Sequence, residues 1–177
     1  NHNDRKNALL FNRTVCNAEL PVAWTTSKIT MIPKKESSSD PSKYRPISIT
    51  SCLARLCERV IAKKLWAFLN SHKIIKYYQS GFREKRQTKD NVLWITQKAL
   101  ESLHRKKKMV SVFFDIQAAF DKVWHKGLPS KLIDIGIAPQ WICWIRSFLT
   151  NRKSMVIVGE STSRRFNQTT GVPQGAC

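Results

Sequence analysis

Two carboxylates stand where an apolar run should simply end. Asp115 follows Val110, Val112, Phe113 and Phe114, and Asp121 comes six residues later. Burying an ionised carboxylate is costly unless a cation or several donors meet it. One solution is a divalent ion: Mg²⁺ takes oxygen ligands and keeps several waters, so a few acids at a strand end suffice. The plainer alternative is that Asp115 caps the next turn, or pairs with one of the 31 Lys and Arg side chains. Residue types alone favour the plainer one. Asp121 can equally cap or brace the turn. Elsewhere the chain offers cations and turns: Lys34 and Lys35 after "MIP", Arg45 in "YRPIS", and a Gly/Pro turn in "GVPQG" holding Gln174 and Gly175. Five scattered cysteines show no CxxC pair or zinc-like spacing. They suit a reducing intracellular compartment, with a secreted chain left open.

The elements that must position these residues alternate irregularly, which predicts an α+β fold. Leu9, Leu10, Val15 and Cys16 space a first helix, stopped by Pro21. "SKITMIP" is a short strand, and 34–43 is a polar Ser-rich loop. From Ser51, an amphipathic helix buries Leu53, Leu56, Cys57, Val60, Ile61 and Leu65, turns Arg55, Glu58, Arg59 and Lys63 outward, and keeps Cys52 as a small buried hydrophobe. A second helix is expected near 90–104, then a buried strand ending at Asp115. Helices near 129–135 and from Pro139 follow, and a hairpin turns at Gly159. The net charge of +19 and pI near 10.2 call for a polyanionic partner. No apolar run reaches the roughly 18–20 residues of a membrane span. Opening on Asn1 and stopping at Cys177, the chain reads as a piece of a longer polypeptide.

Four stretches stand in a telling order: "YRPISI", "QSGFREKRQT", "FFDIQAAFDKVWH" and "GVPQGA". In that order they resemble the reverse transcriptase of non-LTR retrotransposons of the jockey-like kind, from about Trp24 to Cys177. The resemblance implies a right-hand polymerase fold, with fingers plus an incomplete palm. Residues 1–108 would be fingers-like with a helical lead-in, and 109–177 a partial palm. It implies an RNA-directed DNA polymerase joining dNTPs to a DNA primer on an RNA template, with two Mg²⁺ ions in the complete enzyme. Asp115 matches the first metal-binding Asp, and the Ile116 carbonyl would help hold the nucleotide-side ion. Phe120 matches the steric gate against a ribose 2′-hydroxyl, where the alternative is a core Phe. Ala119 would let its N–H approach the triphosphate, and Lys34 and Arg45 match residues that clasp it. Gln174 and Gly175 match the pocket loop. Lys35, Arg83, Lys85 and Arg86 are candidates for nucleic-acid contact.

Two departures qualify the match. The family's aromatic-x-Asp-Asp hairpin should follow "GVPQG", and the chain ends first, so this fragment is expected to be inactive alone. Pro129 stands where "HKGL" should be followed by Leu, and a first helical turn tolerates it. The rival readings are a non-catalytic nucleic-acid-binding remnant and, from outside the family, a basic structural protein. Family membership would place the protein in nucleus and cytoplasm, with no membrane partner.

Overall fold

The computed structural model describes residues 2–34 and 39–175. In chain order these form α1 (His2–Asn17), α2 (Val22–Thr25), β1 (Thr26–Pro33), β2 (Tyr44–Ile49), α3 (Cys52–Ser71) and α4 (Thr88–His104). Next come α5 (Gly127–Asp134), α6 (Pro139–Leu149), β3 (Arg152–Val158), β4 (Ser161–Thr162) and β5 (Phe166–Gln168). The chain divides into two compact units. The first joins Asn1–Trp66 to Ala118–Cys177, and the second is Ala67–Gln117.

In the first unit a small mixed sheet runs β2-β1-β3-β4, with β5 also on β3. β1 pairs antiparallel with β2 and parallel with β3. Alternation along β1 sends Ser27 and Ile29 inward and leaves Lys28 and Ile32 exposed. Ser27 sits opposite Ser154 in the parallel ladder, and their buried hydroxyls bond to each other at 2.7 Å, so neither is orphaned. The expected hairpin is present: Val158 pairs with Ser161 across Gly159, whose φ of 57° fits a two-residue turn.

The core gathers Trp24, Ala54, Cys57, Ile61 and Trp144, with Phe11, Val15 and Phe148 packed around it. One helix face differs from expectation. α3 buries Ala54, Cys57, Glu58 and Ile61, while Leu53, Leu56 and Val60 remain exposed, as does Cys52. Glu58 turns inward because a buried cation draws it. Arg152 is 1% exposed, and the Glu58 charge opposes the fall that burial imposes on its pKa. The Arg152 guanidinium also donates to the Phe148 carbonyl at 3.1 Å and lies over that ring. Pro129 lies buried in the first turn of α5, where the N–H it lacks would have no partner within the helix.

In the second unit α4 forms as its periodicity predicts. A capping box between Gln87 and Asp90 starts it, yet none of its residues is buried. The strand expected over 110–114 is absent: residues 107–116 form neither helix nor strand, and Phe113 and Phe114 are 80% and 93% exposed. A buried strand needs ladder partners for its N–H and C=O groups and cover for its faces. Among the described residues every ladder lies between β1 and β5, and none reaches this segment.

Candidate functional site

Within the first unit, three of the four motifs are stitched together by backbone. The turn after the Asp115 segment is tight: Ala118 has a φ of 54°, and its carbonyl accepts from the N–H groups of Asp121 and Lys122 at 3.0 and 3.1 Å. Phe120 is carried on this turn, 41% exposed. The 171–175 loop docks on the same turn. Val172 N–H donates to the Phe120 carbonyl at 2.8 Å, and Gly171 N–H to the Val123 carbonyl at 2.9 Å. His125 Nε2 bonds the Gly171 carbonyl. Gly171 permits this approach. Its φ is +78°, and a Cβ there would sit 2.8 Å from Asp121 Cα and from the Phe120 and Asp121 carbonyl oxygens.

The other end of the loop reaches β2. Ser48 N–H donates to the Gln174 carbonyl at 2.7 Å. A Cβ on Gly175 (φ +101°) would lie 3.2 Å from Ile47 Cγ2. The loop thereby covers part of the outer edge of β2, an edge that would otherwise present open donors and acceptors. Phe120, Gln174 and Gly175 and the "YRPIS" strand are thus held in one bonded arrangement.

Lys34 and Arg45 stand on the β1–β2 hairpin. Lys34 N–H donates to the Lys43 carbonyl and its ammonium to the Ser42 carbonyl, both at 2.8 Å. That ammonium is therefore already used in closing the turn. Asp40 shapes the same turn: hydrogen bonds from Ser42 hold its carboxyl below the usual range, with the Lys34 charge adding to them. Arg45 is exposed, opposite Ile32 in the ladder. Lys35 lies outside the described residues.

Asp115 and Ile116 belong to the second unit and are exposed, and Ala119 is exposed in the first. Among the described residues no three His, Cys, Asp or Glu side chains come close enough to share a metal ion. The magnesium role that the resemblance implies for Asp115 and the Ile116 carbonyl thus has no group of three such side chains around it among the described residues. Also in the second unit, Arg83 donates from Nη1 to the Lys76 carbonyl at 3.2 Å, while Lys85 and Arg86 are exposed.

Sequence reasoning missed Gly171, Ser48 and His125 as the residues that fasten the 171–175 loop. The available signal was a Gly placed just before Val172 and Pro173, where a chain with a Cβ could not approach another backbone.

The fold is mixed α/β, with a small mixed sheet whose edge strand β2 is tied by a Gly/Pro loop to the aromatic turn. The chain belongs to the reverse transcriptase (RNA-dependent DNA polymerase) family, matched over residues 32–177. It is 36% identical over 170 residues to the "probable RNA-directed DNA polymerase from transposon BS" of Drosophila melanogaster, covering 96% of this chain and 19% of the relative. Against the RNA-directed DNA polymerase of the mobile element jockey, from the same organism, identity is 35% over 170 residues, covering 96% and 18%. The "probable RNA-directed DNA polymerase from transposon X-element" of that fly is 32% identical over 169 residues, covering 95% and 18%. The chain spans about a fifth of the length of these relatives. No helix among the described residues is long and apolar enough to cross a membrane.

Proposed function

We propose that this chain is the nucleotide-pocket portion of an RNA-directed DNA polymerase of a non-LTR retrotransposon. Its fingers come from 1–108 and the first part of its palm from 109–177. The observation that carries this reading is the loop 171–175, bonded at one end to the Phe120 turn and at the other to Ser48. Substrate selection requires those parts to be rigid with respect to one another, because a loose pocket cannot exclude a single hydroxyl. In this reading Phe120 offers its ring edge to the sugar, Gln174 and Gly175 line the pocket beside it, and the Ala119 N–H faces the triphosphate. Arg45 donates to phosphate oxygens with its planar fork. Lys34 assists only if it gives up the Ser42 carbonyl, which makes Arg45 the principal cation.

Family chemistry runs on divalent ions that stabilise the attacking and leaving oxygens. Asp115 and the Ile116 carbonyl would hold such an ion in the complete enzyme, and the aromatic-x-Asp-Asp motif expected to complete the ligand set is not within these 177 residues. RNA template, DNA primer and dNTPs are the proposed partners, and nucleus and cytoplasm the proposed location. The test is primer extension on an RNA template with Mg²⁺. A chain extended through the carboxylate hairpin should extend the primer and lose that activity in Asp115→Ala, while 1–177 should show none. Template-dependent extension that survives Asp115→Ala overturns the assignment. Binding without any extension by the longer chain would leave a nucleic-acid-binding remnant.

A further inference from the structure

The second unit exposes aromatic rings and cations together. Between 76 and 89 the sequence places five basic side chains (Lys76, Arg83, Lys85, Arg86 and Lys89) against one acid, Glu84. Tyr77 and Tyr78 lie in the same stretch, 75% and 64% exposed, with ring centroids 5.3 Å apart in an edge-to-face pair. They line a cleft of about 540 Å³ together with the apolar Trp94, Ile95 and Phe113 and the polar Arg86, Asp90 and Asn91. That volume falls in the range that takes a small planar ligand. The cleft is braced rather than loose: Ser80 is buried and donates from its hydroxyl to Asn91 Oδ1 at 2.8 Å, tying the loop to α4. Phe82 is held at a φ of 60°, a conformation a bulky residue rarely adopts, with its ring in solvent.

An exposed apolar patch of this kind marks a binding surface, and its charged rim decides the partner. A purely apolar protein segment would gain nothing from five cations, whereas a polyanion carrying flat aromatic groups matches both features. We propose that Tyr77, Tyr78 and Trp94 form a stacking platform for unpaired bases of a single-stranded nucleic acid, with Lys85 and Arg86 neutralising its phosphates. The proposal rests on the polymerase reading and deepens it, since a copying enzyme must hold template that is not yet paired. Stacking on exposed rings is sequence-tolerant because every base has a π-face, and alanine substitution of such a ring typically costs about ten- to a hundredfold in affinity. Phosphate contacts add the salt dependence.

The experiment is fluorescence anisotropy of residues 1–177 with three labelled probes: a single-stranded oligouridine, an abasic strand of the same length and charge, and an RNA·DNA duplex. The oligouridine should bind about tenfold or more tighter than the abasic strand. Tyr77→Ala with Tyr78→Ala should remove that preference and leave abasic binding unchanged. Tyr77→Phe with Tyr78→Phe should retain it, which separates loss of a ring from loss of folding. Arg86→Glu with Lys85→Glu should weaken all three probes and lower the salt slope. Equal affinity for the base-bearing and abasic strands overturns the platform and leaves charge alone. Loss of the preference in a chain extended through the carboxylate hairpin also overturns it, by showing that polypeptide covers the rings. Neither outcome bears on primer extension, so the platform and the polymerase reading fail separately.

Discussion

Gly171→Ala should damage the docking of the 171–175 loop through its backbone, and the size of the effect follows from two contributions. The left-handed conformation at φ +78° costs an L-residue with a Cβ about 1–2 kcal/mol. The added methyl would also lie 2.8 Å from three backbone atoms of Phe120 and Asp121, which cannot rotate away as a side chain would. Forcing such an overlap adds about 1–3 kcal/mol. Gly159 is the control: its φ is +57°, and a Cβ there would meet nothing within 4 Å. Gly159→Ala should therefore show the conformational cost alone, and the unfolded-state gain of about 0.4–1 kcal/mol is common to both variants and cancels. The difference between them, about 1–3 kcal/mol, isolates the docking of the loop on the Phe120 turn. In urea, with a slope of about 2 kcal/mol per molar, the two midpoints should separate by roughly 0.5–1.5 M. Tryptophan fluorescence is a suitable probe because Trp24 and Trp144 are buried in the unit that carries both glycines. Midpoints within about 0.2 M of each other would refute the reasoning, since docking would then contribute nothing measurable.

Three further outcomes are expected. In a chain extended through the carboxylate hairpin, Phe120→Val should raise rNTP over dNTP incorporation by roughly a hundredfold; an unchanged ratio with activity intact makes Phe120 a packing residue. Glu58→Gln and Arg152→Gln should be non-additive in urea unfolding, with a coupling of about 0.5–3 kcal/mol, and strict additivity would mean the two buried charges act separately. Burial pushes the Cys57 thiol above its ordinary 9.0, so the stability it confers is present below that pH and lost as pH rises through the folded value. Iodoacetamide at pH 8 should accordingly modify exposed Cys16, Cys52 and Cys143 and spare Cys57, and the alkaline loss of stability should be smaller in Cys57→Ala.

What could be read from the sequence divides along physical lines. Local signals sufficed where the local environment decides the element: Pro139 opens α6, Gly159 turns the hairpin, and the spacing of α3 and α4 gives helices. They failed where a distant partner decides. Glu58 reads as an outward residue until Arg152, far along the chain, is placed beside the core. The 110–114 run has the composition of a strand, but composition cannot supply a ladder. The motifs themselves stand out by residue type, whereas the fastening of the 171–175 loop to Ser48 and the Phe120 turn depends on backbone bonds, of which only the Gly at 171 left a mark in the sequence.

The Ser27–Ser154 bond joins positions 127 residues apart, and this sets a timetable for the chain as it is made. β1 and β2 can pair as soon as they emerge, but β1 must wait for β3 before its second edge is covered. At about 5–20 residues per second the interval is roughly 6–25 s, long compared with the formation of a hairpin. Throughout that interval an open edge bearing Ile29 and Met31 is available to any other chain. Because the first unit is built from two separated stretches, the whole of 67–117 must emerge before the sheet closes. Crowded synthesis on one messenger is therefore the condition under which this protein should aggregate, even if the finished chain is stable.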